Sequence, residues 1–317
     1  MASRVNASAS GAVGVATMLC ASLATAQSQP AARGWRDTAR VRRPSDRISY
    51  SSSLVSRVDD NVNRDTSRLT SIGAAAGVGV RFESRPVRPT LAVEYGIAIH
   101  RYSATTRFNR VSQRLRSTLS SRVTHWLTVE LVGEGALKGS SEDRDVSDQV
   151  TLLPRAEFRL TDANRARVGV SQRWRRYPTD RVQNAVNRYV VAELRHTLGG
   201  GASIETEARL EGNDARGARF DYRRSSVSCT YSAPLGPVLA FELGMQYRIQ
   251  EYSGRVVRIN RVDHRRVDHR IEPSAALALR LGASAIALSY DPEWRRSNDP
   301  AKVIDQQILQ LSVRHRW

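Results

Sequence analysis

The chain alternates between apolar and polar residues with a period of two along most of its length. Between Val238 and Gln250, one set of alternate positions is wholly apolar and the other holds polar or small residues. Successive side chains of a β-strand point to opposite faces, so this pattern predicts strands with one apolar and one polar face. Residues 91–100 and 150–160 repeat it. Runs of about ten to thirteen residues match tilted transmembrane strands, whereas soluble strands average roughly five or six residues.

Short breaks in this pattern alternate with longer polar breaks. The short breaks fall at residues 84–89, 121–124, 161–164, 199–201, 233–237 and 282–283. The longer breaks fall at residues 58–68, 103–109, 138–146, 177–186, 213–220, 253–265 and 291–303. Outer-membrane barrels have this asymmetry, because their short turns lie at the periplasmic end and their longer loops lie outside the cell. The spacing therefore predicts a meander of hairpins.

We predict an all-β fold, a closed antiparallel up-and-down transmembrane β-barrel of about 14 strands, within a range of about 12–16. An even count puts both termini on the periplasmic side. Pro154 and Pro273 each remove a hydrogen-bond donor from a predicted strand, so we expect a β-bulge or a local change of register at each. The predicted strands cover residues 47–57, 69–82, 90–102, 109–121, 124–137, 147–160, 165–176, 187–198, 202–212, 221–232, 237–251, 266–281, 284–290 and 304–317.

Aromatic side chains lie near the ends of several predicted strands. Membrane barrels concentrate Trp and Tyr at both membrane interfaces. We therefore expect these interfaces to be marked by Trp126, Trp174, Tyr102, Tyr252 and Trp317.

The first residues have the pattern of a secretory signal peptide. Arg4 supplies a positive charge, residues 11–23 form an apolar stretch, and a small-residue cleavage motif ends at Ala26. The apolar stretch is too short for the alternative, a membrane anchor. We therefore predict a signal peptide at residues 1–26, a periplasmic N-terminal tail at residues 27–46 and one barrel domain at residues 47–317.

Composition changes the picture in two ways. The formal net charge is +18, with 49 Lys and Arg against 31 Asp and Glu, which by itself suggests a nucleic-acid partner. The predicted signal peptide exports the chain from the cytoplasm, where nucleic acid is found, so we predict no nucleic-acid partner. The mean hydropathy of −0.44 excludes a bundle of membrane helices but not a barrel, which averages an apolar face with a polar one. Cys229 is the one cysteine after residue 26, and it shares its parity with apolar residues, so we expect it to face lipid.

The C-terminal strand carries a more specific signal. Trp317 is preceded at alternate positions by His315, Val313, Leu311 and Leu309. This series resembles the C-terminal signature of bacterial outer-membrane β-barrel proteins, although His315 departs from the usual apolar or aromatic residue. The resemblance implies an outer-membrane location in a Gram-negative-type bacterium, outer-membrane lipid as surroundings and recognition of this strand by the barrel-assembly machinery.

A second segment, residues 56–62, follows the first predicted strand. Its sequence is Ser-Arg-Val-Asp-Asp-Asn-Val. It resembles a Tyr-Asp-x-Asn-Val segment near the first hairpin of porin-like barrels associated with exopolysaccharide or surface-protein export, with Val58 in place of the aromatic residue. The resemblance implies an acidic polysaccharide as a candidate solute.

The polar set of alternate positions on the predicted strands carries many charged side chains, which we expect to line the lumen. A surplus of arginine there would favour anionic solutes. The alternative is that Arg and Glu on neighbouring strands pair and close the lumen, which would make the barrel structural or assembly-related. The predicted lumen-lining residues are Arg114, Arg116, Glu130, Glu134, Arg155, Glu157, Arg159, Arg167, Arg173, Glu205, Glu207, Arg209, Glu242, Arg248 and Arg280.

Catalytic and metal chemistry find little support in the sequence. The most conspicuous cluster is the repeated Val-Asp-His-Arg containing His264 and His269. A spacing of five would put these two imidazoles on opposite faces of a strand, so we predict no metal site and a solvated loop at residues 253–265. We predict no catalytic residue and no cofactor. An outer-membrane hydrolase and a periplasmic β-protein remain as further alternatives.

Overall fold

The computed structural model describes residues 46–62, 69–84, 89–139 and 147–317. The predicted signal peptide with its cleavage site, and all but the last residue of the predicted tail, lie outside the described residues. The described part of the chain is almost entirely β-strand.

Sixteen strands follow one another along the chain, and most contain 13 residues. They are β1 (Arg47–Asp59), β2 (Ser71–Glu83), β3 (Thr90–Tyr102), β4 (Arg110–Arg122), β5 (Leu127–Gly139), β6 (Asp148–Arg159), β7 (Asn164–Arg176), β8 (Ala185–Thr197), β9 (Ser203–Ala215), β10 (Tyr222–Pro234), β11 (Leu239–Ile259), β12 (Val262–Leu281), β13 (Ser284–Tyr290), β14 (Glu293–Ser297), β15 (Ile304–Gln306) and β16 (Ile308–Arg316).

Helix is confined, in the described residues, to single 3-10 turns of three residues, and none of them is a candidate for crossing a membrane. These turns are Thr106–Phe108, Arg181–Gln183, Gly199–Gly201, Ala218–Phe220 and Pro300–Lys302.

The strands form one antiparallel sheet that closes on itself. Each strand from β1 to β12 pairs with the next, β12 pairs with β13, β13 with β16, and β16 with β1. The short β14 and β15 are additional: β14 pairs with the part of β12 beyond the reach of β13, and β15 pairs with β14. The wall is therefore a closed 14-stranded barrel, as the alternation predicted.

The two chain ends of the barrel meet at one rim. The backbone N–H of Tyr50 donates to the carbonyl of Trp317 at 2.9 Å, and the N–H of Trp317 donates back to Tyr50 at 3.2 Å. Both strands therefore end on the same side, as an even strand count requires. The tight turns lie at this rim, which we call the turn end; the longer connections lie at the opposite rim, the loop end.

The predicted disturbances at the two prolines are wrong. The pairing of β6 with β7 keeps one register on both sides of Pro154 and lacks only the two pairs at residues 153 and 154. Pro273 pairs with Met245 in the unbroken ladder of β11. Its other neighbour strand is interrupted between β13 and β14, and the register on either side puts Pro273 opposite Pro292. Pro273 has no backbone N–H to donate, and the residue opposite it, Pro292, has none either.

The predicted loop at residues 253–265 is also wrong. β11 and β12 continue beyond the neighbouring strands and join through a tight turn at Asn260 and Arg261, whose φ angles are 52° and 67°. The register shifts between Tyr252 and Val256, so that residues 253–255 bulge from β11. Short and long connections therefore do not alternate strictly, because this hairpin protrudes from the loop end as strand.

Exposed apolar side chains cover one face of the sheet. The register places Leu54, Ile99, Leu115 and Val168 on this apolar face, all at least 46% exposed. Trp126, Trp174 and Trp317 are exposed near strand ends, as expected. The expectation fails for Tyr252, which is buried, and for Tyr102, whose ring packs edge-on against Phe108. Both tyrosines belong to the polar face of their strands. Their position near a strand end does not by itself show this.

Candidate functional site

The opposite face of the sheet, the polar face, carries every charged residue that the sequence predicted for the lumen. Arg116 lies opposite Glu134, Glu130 opposite Arg155, and the remaining predicted residues share this face through the same cross-strand register. The rest of the set comprises Arg114, Glu157, Arg159, Arg167, Arg173, Glu205, Glu207, Arg209, Glu242, Arg248 and Arg280.

Cross-strand ion pairs connect β4 to β8 on the polar face. Arg114 contacts Glu134 at 2.6 Å, and Arg155 pairs with Glu130. Arg167 bridges two strands, with Glu157 of β6 at 2.6 Å and Glu193 of β8 at 3.2 Å. These are the pairs that the closed-lumen alternative predicted. Their side chains are half-buried, which makes such pairs stronger than exposed ones.

A buried polar network lies on β8, β9 and β10. The Glu211 carboxylate accepts hydrogen bonds from the Asn187 amide at 2.8 Å and from the Tyr222 hydroxyl at 2.9 Å. It also pairs with Arg209 and lies 3.7 Å from Arg224. Glu211 is 4% exposed and Asn187 is fully buried, so two arginines and two neutral donors together satisfy one buried carboxylate.

The Arg209 guanidinium and one further guanidinium group converge on an aromatic ring. Arg209 lies 3.6 Å from the ring centroid of Tyr189, and Arg173 lies 5.5 Å from it. Within the described residues Arg173 makes no ion pair. Its strand, β7, presents Arg165, Arg167, Arg173 and Arg175 on the polar face and no acid. Positive charge therefore exceeds negative charge along this part of the wall.

A third cluster lies near the loop end, where β12 meets β14. Arg266 and Arg295 are buried to 1% and 2% exposure, Arg266 pairs with Asp268, and Arg295 contacts Glu293 at 3.2 Å. Arg270 lies 3.1 Å from Glu293 and 3.4 Å from Glu272, so it connects β14 with the acid of β12 nearer the turn end. The sequence prediction missed this cluster, although the alternation of Arg266, Asp268, Arg270 and Glu272 was a usable signal. Two of its residues, Glu293 and Arg295, come from β14, which lies within residues 291–303, where the sequence predicts a loop.

At mid-height the remaining arc of the polar face carries small side chains. Ser51 and Ser53 of β1 lie beside Gly79 and Gly77 of β2, and Ala98 of β3 follows. A Cβ at Gly77 would meet the Ser53 hydroxyl and the Ile97 carbonyl at 3.1 Å, so the chains approach closely here. The polar face thus divides into a charged arc from β4 to β12 and an arc from β13 through β16 to β3, the small-residue arc, which is small at mid-height. Its charged side chains lie toward the rims and include Arg81, Glu94 and Arg314 toward the turn end and Arg57 and Asp59 toward the loop end.

The segment at residues 56–62 lies where the last strand meets the first. Asp59 is completely buried and accepts hydrogen bonds from the Arg57 side chain at 2.6 Å and the Asn61 backbone at 3.0 Å. Val62 packs with Phe108 in a small apolar cluster above the wall. The residues that carried the resemblance to export-associated barrels therefore fasten a loop onto the seam.

Histidine and cysteine are dispersed. His269 lies on the apolar face, where its ring accepts or donates a 2.8 Å hydrogen bond with the Tyr247 hydroxyl, while His264 belongs to the protruding hairpin. Among the residues that the structure describes, no group of three or more His, Cys, Asp or Glu side chains could hold a metal. Cys229 is a free, exposed thiol opposite Met245 and Thr206 on the apolar face.

No protein-family model matches the chain, and no curated protein matches it. Solved structures do. OmpT, an outer membrane protein of Vibrio cholerae, folded in vitro, is 9% identical with a TM-score of 0.54, covering 87% of this chain and 99% of that one. An anion-selective porin from Comamonas acidovorans is 10% identical with a TM-score of 0.50, covering 87% of this chain and 100% of that one. At such identities the likeness shows the fold, which is that of outer-membrane β-barrel proteins.

Proposed function

We propose that this chain is an outer-membrane channel whose polar face lines a water-filled lumen with a net positive charge. The proposed cargo is an anionic solute or an acidic polymer. The observation that carries the proposal is the surplus of arginine in the charged arc.

The orientation of the two faces follows from the cost of polar groups in hydrocarbon. A closed barrel leaves no strand edge unpaired, and its exposed apolar face can contact lipid without burying a charge. Arg and Glu are costly on the lipid face, so the polar face has to be the inner one if the barrel spans a membrane. The fully buried Asn187 and Asp59 support this orientation, since a single-layered wall buries side chains only on its concave side.

Arginine outnumbers its partners at the points where acids are present. Glu157 lies within 3.4 Å of both Arg165 and Arg167, and Glu211 likewise has two arginine neighbours. Each of these two carboxylates is thus shared by two guanidinium groups, while the guanidinium group of Arg173 has no ion pair in the described residues. A positive surface in a water-filled pore raises the local concentration of anions.

The small-residue arc supports an open lumen rather than a closed one. Serine, alanine and glycine on β1, β2 and β3 reach only a short way from the wall, so they leave space opposite the charged arc. A solute could then pass along the arginines without displacing their carboxylate partners. One of the similar solved structures is an anion-selective porin, which agrees with this proposal at the level of the fold.

Single-channel recording of the refolded protein in planar bilayers under a salt gradient tests the proposal. We expect open-channel conductance and a reversal potential of the sign for anion preference. Arg173→Glu should move the reversal potential toward cations, and replacing Arg155, Arg159, Arg167 and Arg173 together by glutamine should abolish the preference. Arg258→Gln, an exposed side chain at the protruding hairpin, is the matched control and should change nothing.

The competing functions give different outcomes. A barrel closed by Arg–Glu pairs would insert but not conduct, and a hydrolase would turn over lipid or peptide substrates. Conductance that is indifferent to all four arginine substitutions would contradict the anion-selective lumen while leaving a channel.

A further inference from the structure

Arginines on the apolar face are confined to one rim. On the strands of the barrel wall, this face has no arginine at mid-height or at the turn end, as far as the structure describes it. At the loop end seven exposed arginines share the outward parity. Arg258 lies farthest out, on the protruding hairpin. We call the other six the arginine collar: Arg101, Arg176, Arg188, Arg223, Arg265 and Arg296.

Part of the arginine collar surrounds a cavity in the outer wall. The register puts Arg188 of β8 and Arg223 of β10 on either side of Gly212 of β9. A Cβ on Gly212 would meet nothing within 4 Å, so the position is an open notch between the two arginines. The cavity has a volume of about 520 Å³, and its lining also includes Arg265.

The two flanking arginines are free to bind a ligand. Within the described residues Arg223 makes no ion pair, and Arg188 has only a 3.5 Å hydrogen bond to Gln172. Three acids also line the cavity. Glu251 contacts Arg265 at 3.5 Å, and Asp221 accepts a 2.7 Å hydrogen bond from the Ala215 backbone.

The third acid, Asp214, lies beside the notch without an ion pair in the described residues. An anion in the notch would therefore face two uncommitted guanidinium groups and one uncommitted carboxylate. The whole lining holds three arginines and three acids, so its formal charges balance, and the place for an anion is the space between Arg188 and Arg223, where two guanidinium groups flank Gly212.

The surface directly below the cavity is apolar. Val190 follows Arg188 toward the turn end and Leu210 lies below Gly212, while on β10 Ser225 separates Arg223 from Val227. The Val190, Leu210 and Val227 side chains are 55%, 64% and 50% exposed. A ligand that fills both zones needs an anionic head and an apolar tail, which describes a lipid and not a free anion.

We propose that this cavity binds the phosphate of an anionic lipid headgroup in the leaflet that surrounds the loop end. Planar guanidinium groups match phosphate oxygens in a bidentate geometry, and basic clusters beside a membrane surface attract anionic headgroups. The acyl chains of the lipid lie along the exposed valine and leucine side chains. This inference rests on the membrane location in the proposed function but not on conduction.

Native mass spectrometry of the refolded barrel in detergent micelles measures the binding. The probes are a bisphosphorylated glycolipid, its monophosphorylated form and inorganic phosphate. Wild-type protein should retain the bisphosphorylated lipid best, and inorganic phosphate at equal concentration should not displace it. The double variant Arg188→Gln and Arg223→Gln should bind it roughly thirtyfold more weakly, from the typical contribution of two arginines near a membrane surface.

Removal of two arginines elsewhere provides the control. The variant Arg258→Gln with Arg261→Gln makes the same charge change at the tip of the protruding hairpin and should bind the lipid like wild type. Equal loss in both double variants, no loss in either, or displacement by inorganic phosphate would each overturn the proposal. Conductance recorded on the same samples separates the two ideas: a channel without lipid preference refutes only this inference, and lipid preference without conductance refutes only the channel.

Discussion

Asp59 and Gln306 are 247 positions apart in the chain, yet the Gln306 side-chain amide donates a 2.7 Å hydrogen bond to the Asp59 carboxylate. Both side chains are completely buried. The same Gln306 amide donates to the Asn61 carbonyl at 3.2 Å, and the Gln307 backbone donates to the Asp60 carboxylate at 2.6 Å. These contacts fasten the last strands to the first at the loop end of the seam.

Substitutions at this seam should destabilise the closed barrel. Gln306→Ala should lower the free energy of unfolding by about 1–3 kcal/mol, because it removes two hydrogen bonds to buried acceptors, the Asp59 carboxylate and the Asn61 carbonyl. Asp59→Ala should cost more, about 3–5 kcal/mol, because it takes a carboxylate away from the buried Arg57. Urea unfolding of refolded protein, with heat-modifiable gel mobility as the measure of closure, checks both values. Asp263→Ala at the exposed hairpin is the control. An equal loss of unfolding free energy in that variant would show that the seam contacts do not stabilise the closed barrel.

The buried network at Glu211 makes a second prediction. Tyr222→Phe removes one of the two neutral donors to this carboxylate and should lower the free energy of unfolding by about 1–3 kcal/mol. Tyr231 lies on the apolar face of the same strand. Tyr231→Phe should leave the free energy of unfolding nearly unchanged, since its ring packs on Phe241 and its hydroxyl has no hydrogen bond in the described residues. Paired unfolding curves measure the difference. Similar values for the two variants would show that the Tyr222 hydroxyl does not stabilise the carboxylate.

The protruding hairpin is fixed by a close backbone approach. A Cβ on Gly254 would lie 2.1 Å from the Ala218 carbonyl oxygen, and the neighbouring Arg255 side chain donates to the Arg219 carbonyl at 2.9 Å. Gly254→Ala should therefore force the hairpin away from the loop before β10 and cost about 1–3 kcal/mol, and proteolysis near Asn260 should become faster. Gly212→Ala, where the added methyl has open space, should leave both stability and proteolysis unchanged. If Gly254→Ala resisted proteolysis as well as wild type, the close contact between the hairpin and Ala218 would be contradicted.

Lys302 gives a pH dependence. Burial, together with the positive charge of Arg266, lowers the pKa of Lys302 below its ordinary value, while Asp299 opposes the change. The unfolded chain then binds a proton more readily than the folded one, so the contribution of Lys302 to stability increases as the pH rises through the folded pKa and levels off above the ordinary pKa of about 10.4. The stability difference between wild type and Lys302→Met should change in favour of wild type over that interval. A difference that is constant with pH would refute the assignment.

Cys229 tests which face contacts lipid. In the chain without its predicted signal peptide, Cys229 should react with a membrane-soluble maleimide and resist a charged, water-soluble one. Ser228→Cys combined with Cys229→Ser moves the thiol to the polar face, opposite Gln246 and Glu207, and should reverse that preference if the lumen is open. A Ser228→Cys thiol that resists both reagents would favour the closed lumen.

Much of the barrel could be predicted because its main signal is local. Alternation along β3 or β11 follows from the geometry of a single strand, and it fixes which residues share a face before any pairing is known. The same logic puts Arg155 and Glu130 on one face. It could not pair Arg167 with both Glu157 and Glu193, since that requires the register of three strands. The turn at Asn260 was missed because polar residues around it resemble a loop, although Asn is a residue that tolerates positive φ.

The sequence by itself determined the all-β class, the strand count, the apolar and polar faces and the surplus of arginine, because each depends on residue order or composition. Only the tertiary structure decided the register of β1 on β16, the cluster shared by β12 and β14, and the notch at Gly212 between Arg188 and Arg223. These depend on contacts between residues far apart in the chain. The backbone can make such contacts only after the register of every intervening strand is set.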